Sequence, residues 1–148
     1  MTRYKWMILF FIVAMFFLTW RLLIPVEIID VHRSDSRYTI DIIVKNFPLT
    51  DKGKIDWWEK NKKTLEDKYN IPNEKSDYSI GFWVGDYKAE PNTDQGSDLL
   101  CFEDMSTPKN CIEKGNQPLQ IWHKVKKGET IFLFDNWKRT YVKKTTAQ

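Results

Sequence analysis

Residues 6–20 (WMILFFIVAMFFLTW) contain no charge, no glycine and no proline, and after Arg21 the apolar run resumes through Leu22, Leu23 and Ile24 until Pro25 stops it. As a helix rising ~1.5 Å per residue, 6–24 covers roughly 28 Å, close to the hydrocarbon thickness of a bilayer. The pattern predicts a single-pass membrane protein, held by lipid contact over residues 6–24. No comparable run follows.

Other readings of this stretch fit less well. A cleaved signal peptide would share the basic start at Arg3 and Lys5, but it needs small residues just before the cut, and the chain after Phe17 offers LTWRLLIP. No cysteine stands nearby to carry a lipid. A buried core helix in so short a chain is not normally apolar on every face. Arg21 reads as an interface anchor beside Trp20, its guanidinium snorkelling to the headgroups. Tyr4 and Trp6 at one end and Trp20 at the other make the aromatic belts of a spanning helix. Arg3, Lys5 and the α-amino group precede the span and only Arg21 closely follows it, which predicts a cytoplasmic N-terminus. The expected layout is a membrane anchor, 1–25, and an extracytoplasmic domain, 26–148, which in a bacterium means the inner membrane and the periplasm.

Beyond Pro25 the pattern changes period. Residues 26–32 and 38–44 are β-rich runs with imperfect alternation, separated by the polar turn 33–37, and most simply form an antiparallel hairpin. In 51–69 the apolar residues Ile55, Trp58, Leu65 and Tyr69 recur at helical spacing, interrupted at Lys62, whose aliphatic stem can lie along apolar surface with its ammonium in water. Thr50 or Asp51 caps the first turn, Pro72 ends the helix, and Glu59 with Lys63 makes an i,i+4 pair on the charged face. Trp57 and Trp58 cannot both point into the core fully, which leaves one indole at its edge or in a contact site. Residues 76–84 read as a strand with Tyr78, Ile80, Phe82 and Val84 on one face, and 85–98 as an exposed loop. Further strands are expected at 99–103, 111–113, 119–125, 130–134 and 138–142, with hairpin turns at 126–129 and 135–136. The fold class is α+β, one N-terminal transmembrane helix and then a small domain with a helix packed on a mostly antiparallel sheet.

Charge changes this picture only once it is located. The chain has 148 residues, 23 basic and 20 acidic, and Arg3, Lys5 and Arg21 belong to the span's flanks, so the domain itself is balanced. The basic surplus is therefore no argument for nucleic acid. Carboxylates nonetheless gather between Glu74 and Glu113, and lysines and Arg139 gather after Lys124. The bland reading is a set of solvated loops and strand faces; the sharper one is an acidic surface for a basic partner.

Cys101 and Cys111 are the only cysteines. Their spacing suits neither a metal site nor a CxxC oxidoreductase, and in an oxidising compartment they read as a structural disulfide closing a polar loop. In the cytoplasm both would be ordinary buried thiols. His32 and His123 have no carboxylate or cysteine at motif spacing and read as structural. Asp41, Asp56, Glu103 and Asp104 could act as acid and base in principle, but no nucleophile elbow, zinc helix, phosphate loop or dinucleotide fingerprint occurs. The expectation is a protein that is not an enzyme, with no catalytic residues, no cofactor, no metal, no nucleic acid and no small-molecule substrate.

The runs 25–32 (PVEIIDVH), 44–54 (VKNFPLTDKGK) with 55–58 (IDWW), 68–72 (KYNIP), 100–105 (LCFEDM) and 110–114 (NCIEK) resemble the enterobacterial membrane proteins grouped as domain of unknown function 943. The resemblance extends from the span to about Lys114 and is weakest in the 85–98 loop and the basic tail. It implies one N-terminal span, a small outer domain and no assigned catalytic residues.

Two function classes follow. One is a membrane-anchored periplasmic binding protein with a protein partner, in its most concrete form an immunity protein that neutralises a secreted toxin, with Trp57, Trp58, Glu103 and Asp104 as contact residues. The other is an accessory or structural subunit of an inner-membrane envelope complex, recognised through its span as well as its domain. A hydrolase using aspartate or glutamate ranks behind both.

Overall fold

The computed structural model describes residues 2–34, 39–92 and 98–145. Helix α1 (Thr2–Leu23) has no buried residue, and its apolar side chains are exposed all round. By length and composition it can cross a membrane. Such a surface is stable only where the solvent is itself apolar.

Strands β1 (Glu27–Arg33) and β2 (Thr39–Lys45) form the expected antiparallel hairpin. Tyr38 and part of the turn, 35–38, lie outside the described residues, as does 93–97 of the long loop. Helix α2 (Asp51–Tyr69) then carries the chain across to β3 (Tyr78–Trp83), which pairs with β2 in parallel. A parallel pair requires such a crossover, because a tight turn can join only antiparallel neighbours. The remaining strands are β4 (Leu99–Cys101), β5 (Cys111–Glu113), β6 (Leu119–Lys124), β7 (Glu129–Phe134) and β8 (Arg139–Lys144). The main sheet runs β1-β2-β3-β6-β7-β8, every pair antiparallel except β2 with β3, while β4 and β5 form a separate two-stranded flap. The architecture is the α+β arrangement expected, a helix on a mostly antiparallel sheet.

Local chemistry explains why α2 starts and stops where it does. The Thr50 hydroxyl accepts from the Gly53 N–H at 3.0 Å, and Asn70 ends the helix in the left-handed region with its N–H on the Glu66 carbonyl. Gly53 is required by this cap: a Cβ there would stand 2.8 Å from the Thr50 hydroxyl and 3.2 Å from Pro48. Trp58 and Leu65 are buried against Ile42, Val44, Ile80, Phe82, Leu119 and Ile121, which form one face of the sheet. Lys54 is also buried, its ammonium between Asp51 at 3.8 Å and Asp135 at 3.5 Å.

The charged face of α2 differs from expectation in one pair. Glu59 reaches Lys62 at 3.1 Å and Lys143 of β8 at 2.9 Å instead of Lys63, because it turns toward the sheet while Lys63 points to solvent and pairs with Asp67. The Lys62 ammonium, on a side chain 34% exposed, bridges Glu59 and Glu74.

The second layer lies on the opposite face of the sheet. Ile43 and Trp83 meet Phe102 and Ile112 of the flap, with Tyr87, Leu100 and Met105 packed around them. The sheet is thus covered by α2 on one side and by the disulfide-bearing flap on part of the other.

Candidate functional site

A β-bulge builds the site. β1 pairs Ile28 with Val44, but the register then shifts so that Asp30 faces Ile43 and His32 faces Asp41. In an unbroken ladder the period of two would send Asp30 and His32 into the helix-side core. The extra residue, Ile29, turns both toward the flap instead. This doublet is why the alternation in 26–32 is imperfect.

Once turned, His32 is 5% exposed and bonded at both ring nitrogens. Nδ1 lies 2.9 Å from both carboxylate oxygens of Asp104, and Nε2 lies 2.7 Å from the Tyr87 hydroxyl oxygen. That hydroxyl donates onward to Asp30 at 2.8 Å. Phe102 stacks on the imidazole, ring centroids 4.0 Å apart. Burial pushes the Tyr87 hydroxyl well above its ordinary range, and its bond to Asp30 and the charges of Asp30 and Asp104 push the same way. It therefore stays protonated and donates to Asp30. With that proton committed, the Tyr87 oxygen is left as an acceptor toward the His32 ring.

Beside this chain opens a cleft of about 600 Å³, lined by His32, Arg33, Ser34 and Asp41 from the sheet, by Leu99, Leu100, Cys101, Phe102, Glu103 and Asp104 from the flap, and by Lys114. Its floor is polar. Asp41 lies there, its Oδ1 accepting from the Trp83 indole N–H behind it at 2.8 Å. Gly81 lies beneath this convergence, where a Cβ would stand 2.9 Å from the Trp83 indole nitrogen and 3.0 Å from Asp41 Oδ1. Its flap wall is fastened by the Cys101–Cys111 disulfide. The bond joins register partners of β4 and β5, so the tip of the flap cannot splay from its base.

The structure brings Cys101, Cys111, Glu103 and Asp104 together at this cleft and places Trp57 and Trp58 on the other side of the sheet. Glu103 is exposed on the rim. Asp104, at the same rim, holds His32. Trp58, proposed from sequence as a contact residue, needs correcting: it is 1% exposed, packed edge-on to Phe82, and unavailable to a partner. Trp57 is the indole at the core's edge, half-buried between Phe47 and Phe82.

His123 fits its structural reading, with Nδ1 2.9 Å from the Thr130 hydroxyl and its ring stacked on Tyr78. Asp41 and Asp104 line one cleft, yet each is engaged, by the Trp83 indole and by His32. Among the described residues no group of three or more His, Cys, Asp or Glu is arranged to hold a metal ion.

Asp30, Tyr87 and Phe102 escaped the sequence reading. Tyr87 is 55 residues from His32 and Asp104 is 72 away, so no spacing rule joins them. The doubled Ile28 and Ile29 is the one signal in the chain that points to the bulge.

Much of the acidic stretch is neutralised internally. Glu74 pairs with Lys62, Asp77 with Lys124 and Glu113 with Lys88. Glu103, exposed at the cleft rim, is a carboxylate of this stretch that stands beside a concave surface.

No curated protein and no solved structure matches this chain. A family model described as "Enterobacterial putative membrane protein (DUF943)" matches residues 3–147, and the chain belongs to that family.

Proposed function

We propose that this protein is a membrane-anchored, extracytoplasmic binding protein whose contact surface is the cleft between the sheet and the disulfide-fastened flap. The observation that carries the reading is the cleft itself, with a polar floor, a rigid wall and Glu103 and Asp104 at its rim. Side chains already locked by hydrogen bonds lose little further freedom on binding, so such a surface suits a stoichiometric blocker. The partner is a protein presenting a basic segment, and the concrete form is a toxin neutralised on the outer side of the inner membrane. No chemical step is part of this reading.

Location in the periplasm is supported by the basic flank at Arg3 and Lys5 and by a disulfide that only an oxidising compartment maintains. Deleting the gene and challenging the cells with neighbouring toxin-bearing bacteria tests the role. The expected result is killing of the deletion strain, rescue by the wild-type chain and poor rescue by Glu103→Lys with Asp104→Lys; unchanged survival of the deletion strain contradicts it.

A second reading, an accessory subunit of an envelope complex, draws on α1, whose sides are all uncovered and open to another helix as well as to lipid. Replacing 6–24 with an unrelated span separates the two. A blocker acting through its domain keeps working, and a subunit packed by its helix does not.

A further inference from the structure

The strands place one end of the domain beside the C-terminal end of α1. β1 begins there, β2 and β3 end there, and α2 starts there, so the loop 46–50 lies beside the point where α1 gives way to the domain. Leu49, at this loop, is 79% exposed, the most exposed large hydrophobic residue outside α1 among the described residues. It lines an apolar crevice of about 450 Å³ with Leu22, Leu23, Ile24, Phe47 and Trp57.

Depth follows from helix arithmetic. Residues 6–20 rise roughly 22 Å, short of a hydrocarbon core of about 30 Å. Leu22, Leu23 and Ile24 must therefore make up the difference, and the crevice they line stands at the boundary between acyl chains and headgroups. Arg21 lines the same crevice. Asp135, which lines a neighbouring pocket with it, is already paired with Lys54 and Arg139, so among the described residues no carboxylate neutralises the Arg21 guanidinium.

We infer that the 46–50 loop is a second membrane contact: Leu49 enters the interfacial layer of the leaflet from which α1 emerges, and Arg21 holds a phospholipid phosphate at the mouth of the crevice. A guanidinium matches phosphate geometry with two parallel hydrogen bonds, and its anionic partner is abundant at this depth. Two attachment points, the span and the loop, fix how the domain is tilted on the membrane. Lys45, exposed beside the loop, adds attraction to an anionic surface.

The test uses the full chain in vesicles of phosphatidylethanolamine and phosphatidylglycerol, with the photoreactive residue p-benzoyl-phenylalanine in place of Leu49 or of Val125. Val125 is also exposed but follows β6 at the opposite end of the sheet. The expected result is a phospholipid adduct at position 49 several-fold above that at 125. In the position-49 chain, Arg21→Gln lowers the adduct several-fold and Arg21→Lys largely retains it. Equal yields at the two positions, or adducts at 49 to a second copy of the chain, overturn the loop's role as a membrane contact. A yield indifferent to Arg21→Gln overturns the phosphate site.

Discussion

At the residue scale, the two adjacent tryptophans of α2 show how one position along a helix changes an energy. Trp58 is sealed between α2 and the sheet, whereas Trp57 covers Phe47 and Phe82 from the edge. Truncating a buried tryptophan loses its transfer free energy and leaves a cavity, together about 3–5 kcal/mol. Small domains hold only about 5–15 kcal/mol in all. Trp58→Ala is thus expected to leave the domain marginal or unfolded in urea titrations of the full chain in detergent, and Trp57→Ala to cost about half as much. Equal losses would mean that the two indoles are equally buried, against the structure. His32 makes a different point, because its environment is set by a neighbour, Ile29, that bulges and reverses the faces of the residues around it.

At the element scale, α2 is fastened to the edge strand β8 by ion pairs. Arg139 grips Asp51 through two bonds of 2.8 Å, and Lys143 reaches Glu59 at 2.9 Å. The Arg139 hydrogen bond holds the Asp51 carboxyl below its ordinary value of 3.8, and the same guanidinium does so for Asp135. For Glu59 burial pushes upward from 4.5, but the bonds to Lys143 and Lys62 outweigh it. All three carboxyls are depressed in the folded state. Their stabilisation is therefore complete above the ordinary carboxylate values and is lost as pH falls through the lower folded ones. Thermal unfolding followed from pH 6 down to about pH 2 should show the midpoint falling below about pH 4.5, with a shallower fall in Arg139→Gln. An acid response unchanged by Arg139→Gln would show that these pairs contribute nothing, the usual fate of exposed ones.

Elements were legible in the sequence where one local rule sufficed. α2 could be bounded because Ile55, Trp58 and Leu65 repeat at helical spacing between a Thr50 cap and Pro72. The β1–β2 hairpin and the turn at Asp135 and Asn136 followed from alternation and composition in the same way. The site was not legible, because its parts meet through the third dimension. Lys54 looks like surface until Asp135, 81 residues later, comes alongside it. Glu59 has a partner at the expected spacing and takes Lys143 instead, since a strand that sequence places nowhere in particular lies against the helix. Glu103, Asp104 and the cysteines were read as neighbours along the chain; that they wall a cleft with His32 depended on the bulge.

At the scale of the whole molecule, a helix long and apolar enough to cross a membrane is followed by a domain that carries one disulfide among its described residues. The disulfide bears on both stability and location. Closing a loop of this length by a covalent bond is worth roughly 2–3 kcal/mol in the chain-entropy model. Cys101→Ser with Cys111→Ser should lower the urea midpoint accordingly, and the wild-type chain should show the same drop under reductant; no change in either would mean that the flap holds without its clip. The same bond makes location testable, since it belongs on the oxidising side of the membrane. The most direct measurement is a pair of fusions behind Gln148, one to alkaline phosphatase, active only after export, and one to a fluorescent protein that matures only in the cytosol. Phosphatase activity with a dark fluorescent fusion is the predicted result. A bright fluorescent fusion with an inactive phosphatase would put the domain in the cytosol and contradict the account.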